Sequence, residues 1–403
     1  MSRPAAPFAR TAVALTCVAL WAPCGVGPRP AAALAQTPPA RTSAETGPGV
    51  AWDQSTLTLV AAGGYYGRVV QLRSGRFVAG FSQRGRVMAS TSADARTWSA
   101  PVEVAAFAHG EATNSELLEL ADGRVLYLFN ERDARPGRAE GDASQDNGIA
   151  VAFSEDGGRT WGAPRRLYGG GPMWEPAGLQ EDDGDILVFF ADEKPYPRSH
   201  EQRISVLRSR DGGATWTPRA RAASFRAGHR DGMPAPLKTR DGRLLAAIED
   251  NGLHGKFKPV IVNLTDRQAW PIGGASDRRW GALATPLPAP TYAGAPDLVQ
   301  LDGGTLALSA QVDSGDGVRR MVVWTADETG RNFARGSSPF AMAAPDAEQL
   351  WNGLYVRDGD TLGAVAGTTV DGVRGLWIVE GRITAPGAAS RGRDPLPVSP
   401  PGR

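Results

Sequence analysis

The sequence predicts an all-β chain closed into a six-bladed β-propeller. Three observations predict it. A strand–turn–strand phrase recurs along the chain. A second turn signature, built from Ser, Asp, Gly and Trp, follows several of its copies. The composition, with 50 Gly, 31 Pro and 11 Trp in 403 residues, suits short strands, tight turns and aromatic packing.

The N-terminus comes first. Arg3 and Arg10 precede the apolar run Thr11 to Ala22, and small residues follow, ending in Ala33-Leu34-Ala35. A charged start, a short apolar core and an A-x-A exit predict a secretory signal peptide over 1–35, cleaved after Ala35. The apolar run is too short to anchor the chain in a bilayer, and no later stretch is long and apolar enough. The mature protein is expected to be secreted or periplasmic, with no integral membrane segment. Attachment as a lipoprotein through Cys24 is the rival; Pro23 directly before it, and Trp21 where Leu is usual, speak against it. Cys17 and Cys24, the two cysteines, both fall in the signal. The mature chain must then hold together by its core, without disulfides. Residues 36–49 read as a linker, 50–383 as the propeller, and 384–403 as a disordered tail rich in Pro, Gly, Ala and Arg. A net charge of +1 with no basic patch argues against nucleic acid and acidic membrane surfaces as partners.

The repeat supplies the blades. Its first copy, Val69 to Gln83, runs along an alternating strand to Ser74-Gly75 and into a second apolar strand. The phrase returns with turns at Asp122-Gly123, Asp183-Gly184, Asp241-Gly242, Asp302-Gly303 and Asp358-Gly359. Asp-Gly between apolar runs is a strong hairpin signal because both residues tolerate positive φ. The copies lie roughly 48 to 61 residues apart, a propeller-like period. Two further strands per copy make a four-stranded blade, and radial closure hides the sheet edges. The turn between the third and fourth strands reads Ser154-Glu155-Asp156-Gly157-Gly158-Arg159-Thr160-Trp161 and Ser209-Arg210-Asp211-Gly212-Gly213-Ala214-Thr215-Trp216. Ser92 to Trp98 is a copy one residue short, and Thr325 to Phe333 a weaker echo. Ser and Asp side chains tie down such a loop, Gly takes the left-handed position and Trp packs into the blade, so these turns are structural. The strand near Ser55 to Val60 is expected to close the last blade beside Gly375 to Gly381.

The S-x-D-x-G-x-T-W turn in a six-fold repeat resembles the Asp box of the sialidase superfamily, over nearly the whole mature chain. Sialidases proper open their first inner strand with Phe-Arg-Ile-Pro; here Tyr65-Tyr66-Gly67-Arg68 stands there and only the Arg matches. The chain is more similar to glycoside hydrolase family 93, the exo-acting α-L-arabinanases. The matching pieces are Tyr66-Gly67-Arg68, Trp174-Glu175-Pro176, Ala191-Asp192-Glu193, Arg230-Asp231-Gly232-Met233-Pro234, Glu249, Ala293-Gly294-Ala295-Pro296 and Gly375-Leu376-Trp377. The resemblance implies retaining hydrolysis of terminal α-1,5-linked arabinose units, with Glu175 as nucleophile and Glu249 as acid/base. That family usually has Pro where this chain has Gly67.

Position points to the same pair. Residues just before the first strand of a blade and just after its second share one face of the disc. Counting back about six to ten residues from each turn gives Arg68, Asn114, Glu175, Asp231, Asp297 and Asn352. Counting forward gives Gln83, Glu131, Asp192, Glu193, Glu249 and Asp313. Polar groups from all six blades thus converge on one rim. Glycoside hydrolysis needs two carboxyl groups about one bond, one with a raised pKa; Glu175 and Glu249, on adjacent blades, fit. Tyr66, Arg68, Asn114, Trp174, Asp192, Glu193, Arg230, Asp231, Asp297 and Asn352 are the expected substrate contacts. Tyr66 and Trp174 could stack on a sugar face, and Asp192 and Glu193 could orient or tune the pair. His109, His200, His229 and His254 show no metal-ligand spacing, so neither metal nor cofactor is expected. The expected protein is a monomer acting on oligo- or polysaccharide. Two alternatives stand beside this. A sialidase would need three arginines on a substrate carboxylate, for which Arg68 and either Arg230 or Arg320 are candidates, and a Tyr–Glu pair, for which Tyr355 is a remote candidate. A propeller that binds sugar without cleaving it is the other.

Overall fold

A computed structural model describes residues 47–135, 145–313 and 315–385. Residues 1–35, expected to be a signal peptide and holding both cysteines, lie outside these residues, as do most of the expected linker and nearly all of the expected tail. The described chain forms six four-stranded antiparallel sheets. In chain order the inner strands of the blades are Tyr65–Gln71, Gly110–Glu119, Met173–Gln180, Asp231–Lys238, Ala293–Gln300 and Leu350–Asp358. In the first five blades four consecutive strands run outward in order. The sixth borrows its outer strand, Gly49–Ala62, from the start of the chain. That strand pairs with Val373–Thr384 from Gly49↔Thr384 to Ala62↔Gly375. The two ends of the fold are therefore stitched by one ladder.

Strands of Val, Ile, Leu, Phe and Ala, buried on both faces, supply six cores, one for each junction between neighbouring blades. Tyr127, for instance, is fully buried between blades one and two. The hairpin glycines turn as expected in four blades, with Gly75, Gly123, Gly184 and Gly242 at positive φ. In blade five the left-handed residue is Gly304, one position later than the Asp-Gly pair suggests, and in blade six Asp358 faces Thr361 across a two-residue turn. The Ser-Asp-Gly-Trp turns are structural. Ser154 Oγ accepts the Gly158 N–H, Asp156 accepts from Thr160 Oγ1 at 2.6 Å, and Ser209, Asp211 and Thr215 repeat the pattern. In the short copy Ala95 occupies the left-handed position.

One irregularity repeats in every blade and positions the site. Each inner strand slips register near its start, and at each slip one non-glycine residue takes positive φ. These residues are Tyr66, Asn114, Glu175, Met233, Ala295 and Trp351, with φ between 45° and 59°. A left-handed non-glycine residue costs about 1 kcal/mol or more. A bulge re-aims its side chain, and six together gather six side chains about the central axis.

Candidate active site

Four of the bulge residues, Tyr66, Asn114, Glu175 and Trp351, line an open cavity of about 900 Å³. Glu175 is itself a bulge residue. Asn130, at the end of the second strand of blade two, accepts its N–H at 2.6 Å. The same exchange recurs elsewhere: Glu249 accepts the Ala295 N–H at 2.9 Å and Gln311 the Trp351 N–H at 2.9 Å. In each case a strand-two side chain satisfies the bulge N–H of the next blade. Between blades three and four the corresponding residue is Ala191, which faces Trp174 as Glu249 faces Gly232. A methyl group cannot accept, and the Met233 N–H goes instead to the Glu175 carboxylate at 3.1 Å. Both glutamates are thus held by a backbone N–H of the following blade, and both line the cavity.

Glycines make room for Glu249. A Cβ on Gly294 would stand 2.4 Å from Glu249 Oε2 and 2.3 Å from the Tyr292 hydroxyl, and one on Gly232 would stand 2.9 Å from Glu249 Oε1. Burial pushes the Glu175 carboxyl up to about 8, and the nearby Glu249 adds to the rise; the Met233 N–H and Arg230 oppose it. Burial also raises Glu249, against the Ala295 N–H and Arg230. Two partly desolvated carboxyls that feel each other titrate as a pair. Like charges so placed resist ionising together, and burial favours a proton on Glu175 at rest; for Glu175 to act as a nucleophile that proton must pass to Glu249 or to solvent.

Glu193 organises one wall. Its Oε1 accepts from Trp174 Nε1 at 2.7 Å, Gln202 Nε2 at 3.0 Å and Arg230 Nη2 at 2.6 Å. Opposite, Tyr65 and Tyr66 pack on Trp351 with ring centroids 6.0 and 5.9 Å apart. The site therefore has an aromatic side and a charged side. Burial and the neighbouring Glu175 raise the Tyr66 phenol well above its ordinary value.

Of the sequence-predicted residues, Tyr66, Asn114, Trp174, Glu175, Glu193, Arg230 and Glu249 line the cavity. Five others do not. Arg68 donates to Glu116 at 3.2 Å and to the Gly67 carbonyl at 3.0 Å. Asp297 accepts the Leu298 and Leu354 N–H groups and, with Glu116, acts on Arg68 electrostatically. Asp231 is fully buried against Arg279, Asp192 is fully buried against Ser205 and Arg203, and Asn352 accepts from Ser309. The reason is register. Arg68 and Asp297 lie two residues after their bulges, Asp231 two before and Asn352 one after. Offsets counted from turns of unequal geometry missed this.

The arrangement also bears on the alternatives. Tyr355 is buried and donates to Glu380 at 2.9 Å, and Arg320 pairs with Asp316. Of the residues proposed for a sialidase clamp, only Arg230 lines the cavity. Trp351, adjacent to Asn352, and Arg132, Arg198, His200 and Phe257 line the cavity in addition to the residues expected from the sequence. Trp351 reaches the cavity through the bulge of its strand, which the sequence does not show; Arg198, His200 and Phe257 sit on loops that carry no repeat signal. Among the described residues, the carboxylates of Glu181, Asp183 and Asp185 gather at the hairpin of blade three. Arginines already answer them: Arg267 on Glu181, and Arg208 on Asp183 and Asp185. No helix among the described residues is long and apolar enough to cross a membrane.

No protein-family model and no curated protein matches this sequence. Solved structures do match its fold. A family 93 α-L-arabinofuranosidase of Fusarium graminearum, in complex with arabinobiose, superposes with a TM-score of 0.59 at 18% identity, over 84% of this chain and 97% of that one. An α-L-arabinanase of Penicillium chrysogenum, also with arabinobiose, gives 0.56 at 16% identity, over 84% and 98%. A sialidase of Streptococcus pneumoniae gives 0.56 at 12% identity, over 82% and 70%. The fold is thus the sialidase-like six-bladed propeller, shared with family 93 structures.

Proposed function

We propose that this chain is an exported glycoside hydrolase that releases arabinose or arabinobiose from α-1,5-linked arabinan-like polysaccharide with retention of configuration. The observation that carries the proposal is the pair Glu175 and Glu249. They line one cavity, sit on adjacent blades, and each accepts a backbone N–H. Glu175 attacks the anomeric carbon; Glu249 protonates the departing oxygen and later deprotonates the water that frees the sugar. The aromatic side formed by Tyr65, Tyr66 and Trp351 receives the sugar face, and Arg230 limits how far both glutamates lose their charge. The likeness to arabinobiose-bound propellers supports the choice of glycan.

A glycan panel with resolved products tests it. Linear α-1,5-arabinan is expected to yield arabinose or arabinobiose, with the new anomer matching the bond cleaved in early proton NMR spectra. Sialosides are expected to remain intact. Sialoside hydrolysis with arabinan untouched would instead favour the sialidase reading, in which Tyr66 beside Glu175 replaces Tyr355. Sugar binding without cleavage of any glycan would make this a lectin-like propeller. Export predicts that the protein recovered outside the cytoplasm begins at Gln36, which N-terminal sequencing reads directly.

A further inference from the structure

Beside the cavity, at the junction of blades three and four, lies a buried ion cluster that the reaction scheme leaves unused. Arg279, fully buried, donates to Asp231 at 2.8 and 2.5 Å, to Asp250 at 2.7 Å and to Ser224 at 2.9 Å. Ser224 in turn donates to Asp231 at 2.7 Å, and Asp250 accepts the Gly252 N–H at 2.5 Å. Two carboxylates and one guanidinium are an expensive way to fill a core; apolar residues of similar volume are often as stabilising or more so.

The other blades manage without this cluster. Two residues before the bulge, the position of Asp231 is taken by Gly64, Ala112, Met173, Ala293 and Gln349. Ala112, Met173 and Ala293 are buried without charge. Only blade four carries an acid there. Asp231 lies two residues before Met233, whose N–H holds Glu175, and Asp250 directly follows Glu249. Asp231 and Asp250 also face each other across the two strands. One guanidinium thus grips both segments on which the two glutamates depend.

We infer that Arg279 is a positioning residue for the glutamate pair, fixing the Met233 N–H and the Glu249 side chain in one frame through Asp231 and Asp250. The inference rests on the glycosidase reading above. Its planar fork makes the role specific, since lysine keeps the charge but cannot bridge two carboxylates in the same geometry.

The test uses Arg279→Lys and the milder Ser224→Ala, which keeps every charge and removes one hydroxyl from the network. In Arg279→Lys, kcat on an aryl α-L-arabinofuranoside is expected to fall about a hundredfold, with KM within about twofold, as misplacement of catalytic groups by about 1 Å does. Ser224→Ala is expected to fall several-fold. In both, the pH dependence of kcat and the carbon-13 titration of labelled glutamate carboxyls should shift while circular dichroism stays that of the parent. Should Arg279→Lys fail to fold, Ser224→Ala alone decides. Parent kcat and parent carboxyl titrations in the folded variants would overturn the inference, as would a loss of activity that only tracks the unfolded fraction. If the parent cleaves no glycan, the glycosidase reading fails; the carboxyl titrations then still decide whether Arg279 positions the pair.

Discussion

Gly294→Ala tests whether Glu249 works from where it stands. The added Cβ would meet Glu249 Oε2 at 2.4 Å and the Tyr292 hydroxyl at 2.3 Å. Ordinary contacts of this kind are about 3.4 Å or longer, so the carboxylate must retreat by about 1 Å. Retreat also loosens the 2.9 Å bond from the Ala295 N–H. Because the clashing atoms are side-chain ends, the strand itself can survive, and an overpacking cost of about 1 to 3 kcal/mol is expected. The catalytic loss is larger: displacing an acid/base group by about 1 Å costs roughly a hundredfold in kcat. Steady-state kinetics on arabino-oligosaccharides should show that loss with little change in KM. The double variant Gly294→Ala/Glu249→Gln should be no worse than Glu249→Gln alone, since both remove one function. Parent-like kcat in Gly294→Ala, at unchanged fold, would refute the placement of Glu249 at the reacting bond.

The remaining predictions separate the roles of the charged groups. Glu249→Gln should spare the first step on activated aryl glycosides, show a burst, and regain turnover with azide to give a product of retained configuration; Glu175→Gln should lose turnover on every substrate. Azide rescue with retention at position 175 would mean the roles are exchanged. For stability, the folded state binds the Glu175 proton more tightly than the unfolded chain, its pKa standing near 8 against an ordinary 4.5. The contribution is therefore present below the ordinary value and is lost as pH rises through the raised one. Denaturant titrations should find the parent losing stability relative to Glu175→Gln between about pH 5 and about pH 8, by at most a few kcal/mol; a parallel pH course would contradict this. Arg68→Met should leave Glu116 and Asp297 without their cation, lowering stability by about 3 kcal/mol while the KM for arabinan stays put. A large rise in KM with unchanged stability would return Arg68 to the substrate.

The sequence by itself determined the number of blades and the hairpins, because those depend on local chemistry; the closing strand followed from the repeat, which leaves one strand ahead of the first copy. Asp-Gly and Ser-Gly pairs permit tight turns, and period-two runs make strands. It also singled out Glu175 and Glu249, through short motifs around them. Only the tertiary structure decided which rim residues meet. Each bulge inserts one residue into the inner strand, and a shift of one residue sends a side chain to the other face of its sheet. That separated Asn114 and Glu175, which sit on their bulges, from Arg68, Asp231, Asp297 and Asn352, which miss by one or two positions and are held by internal partners. The same slip brought Trp351 to the cavity in place of Asn352. The role of Ala191 could not be read from one strand either. A small residue there matters only because the Met233 N–H that it leaves unclaimed lies on the next blade, where Glu175 reaches it.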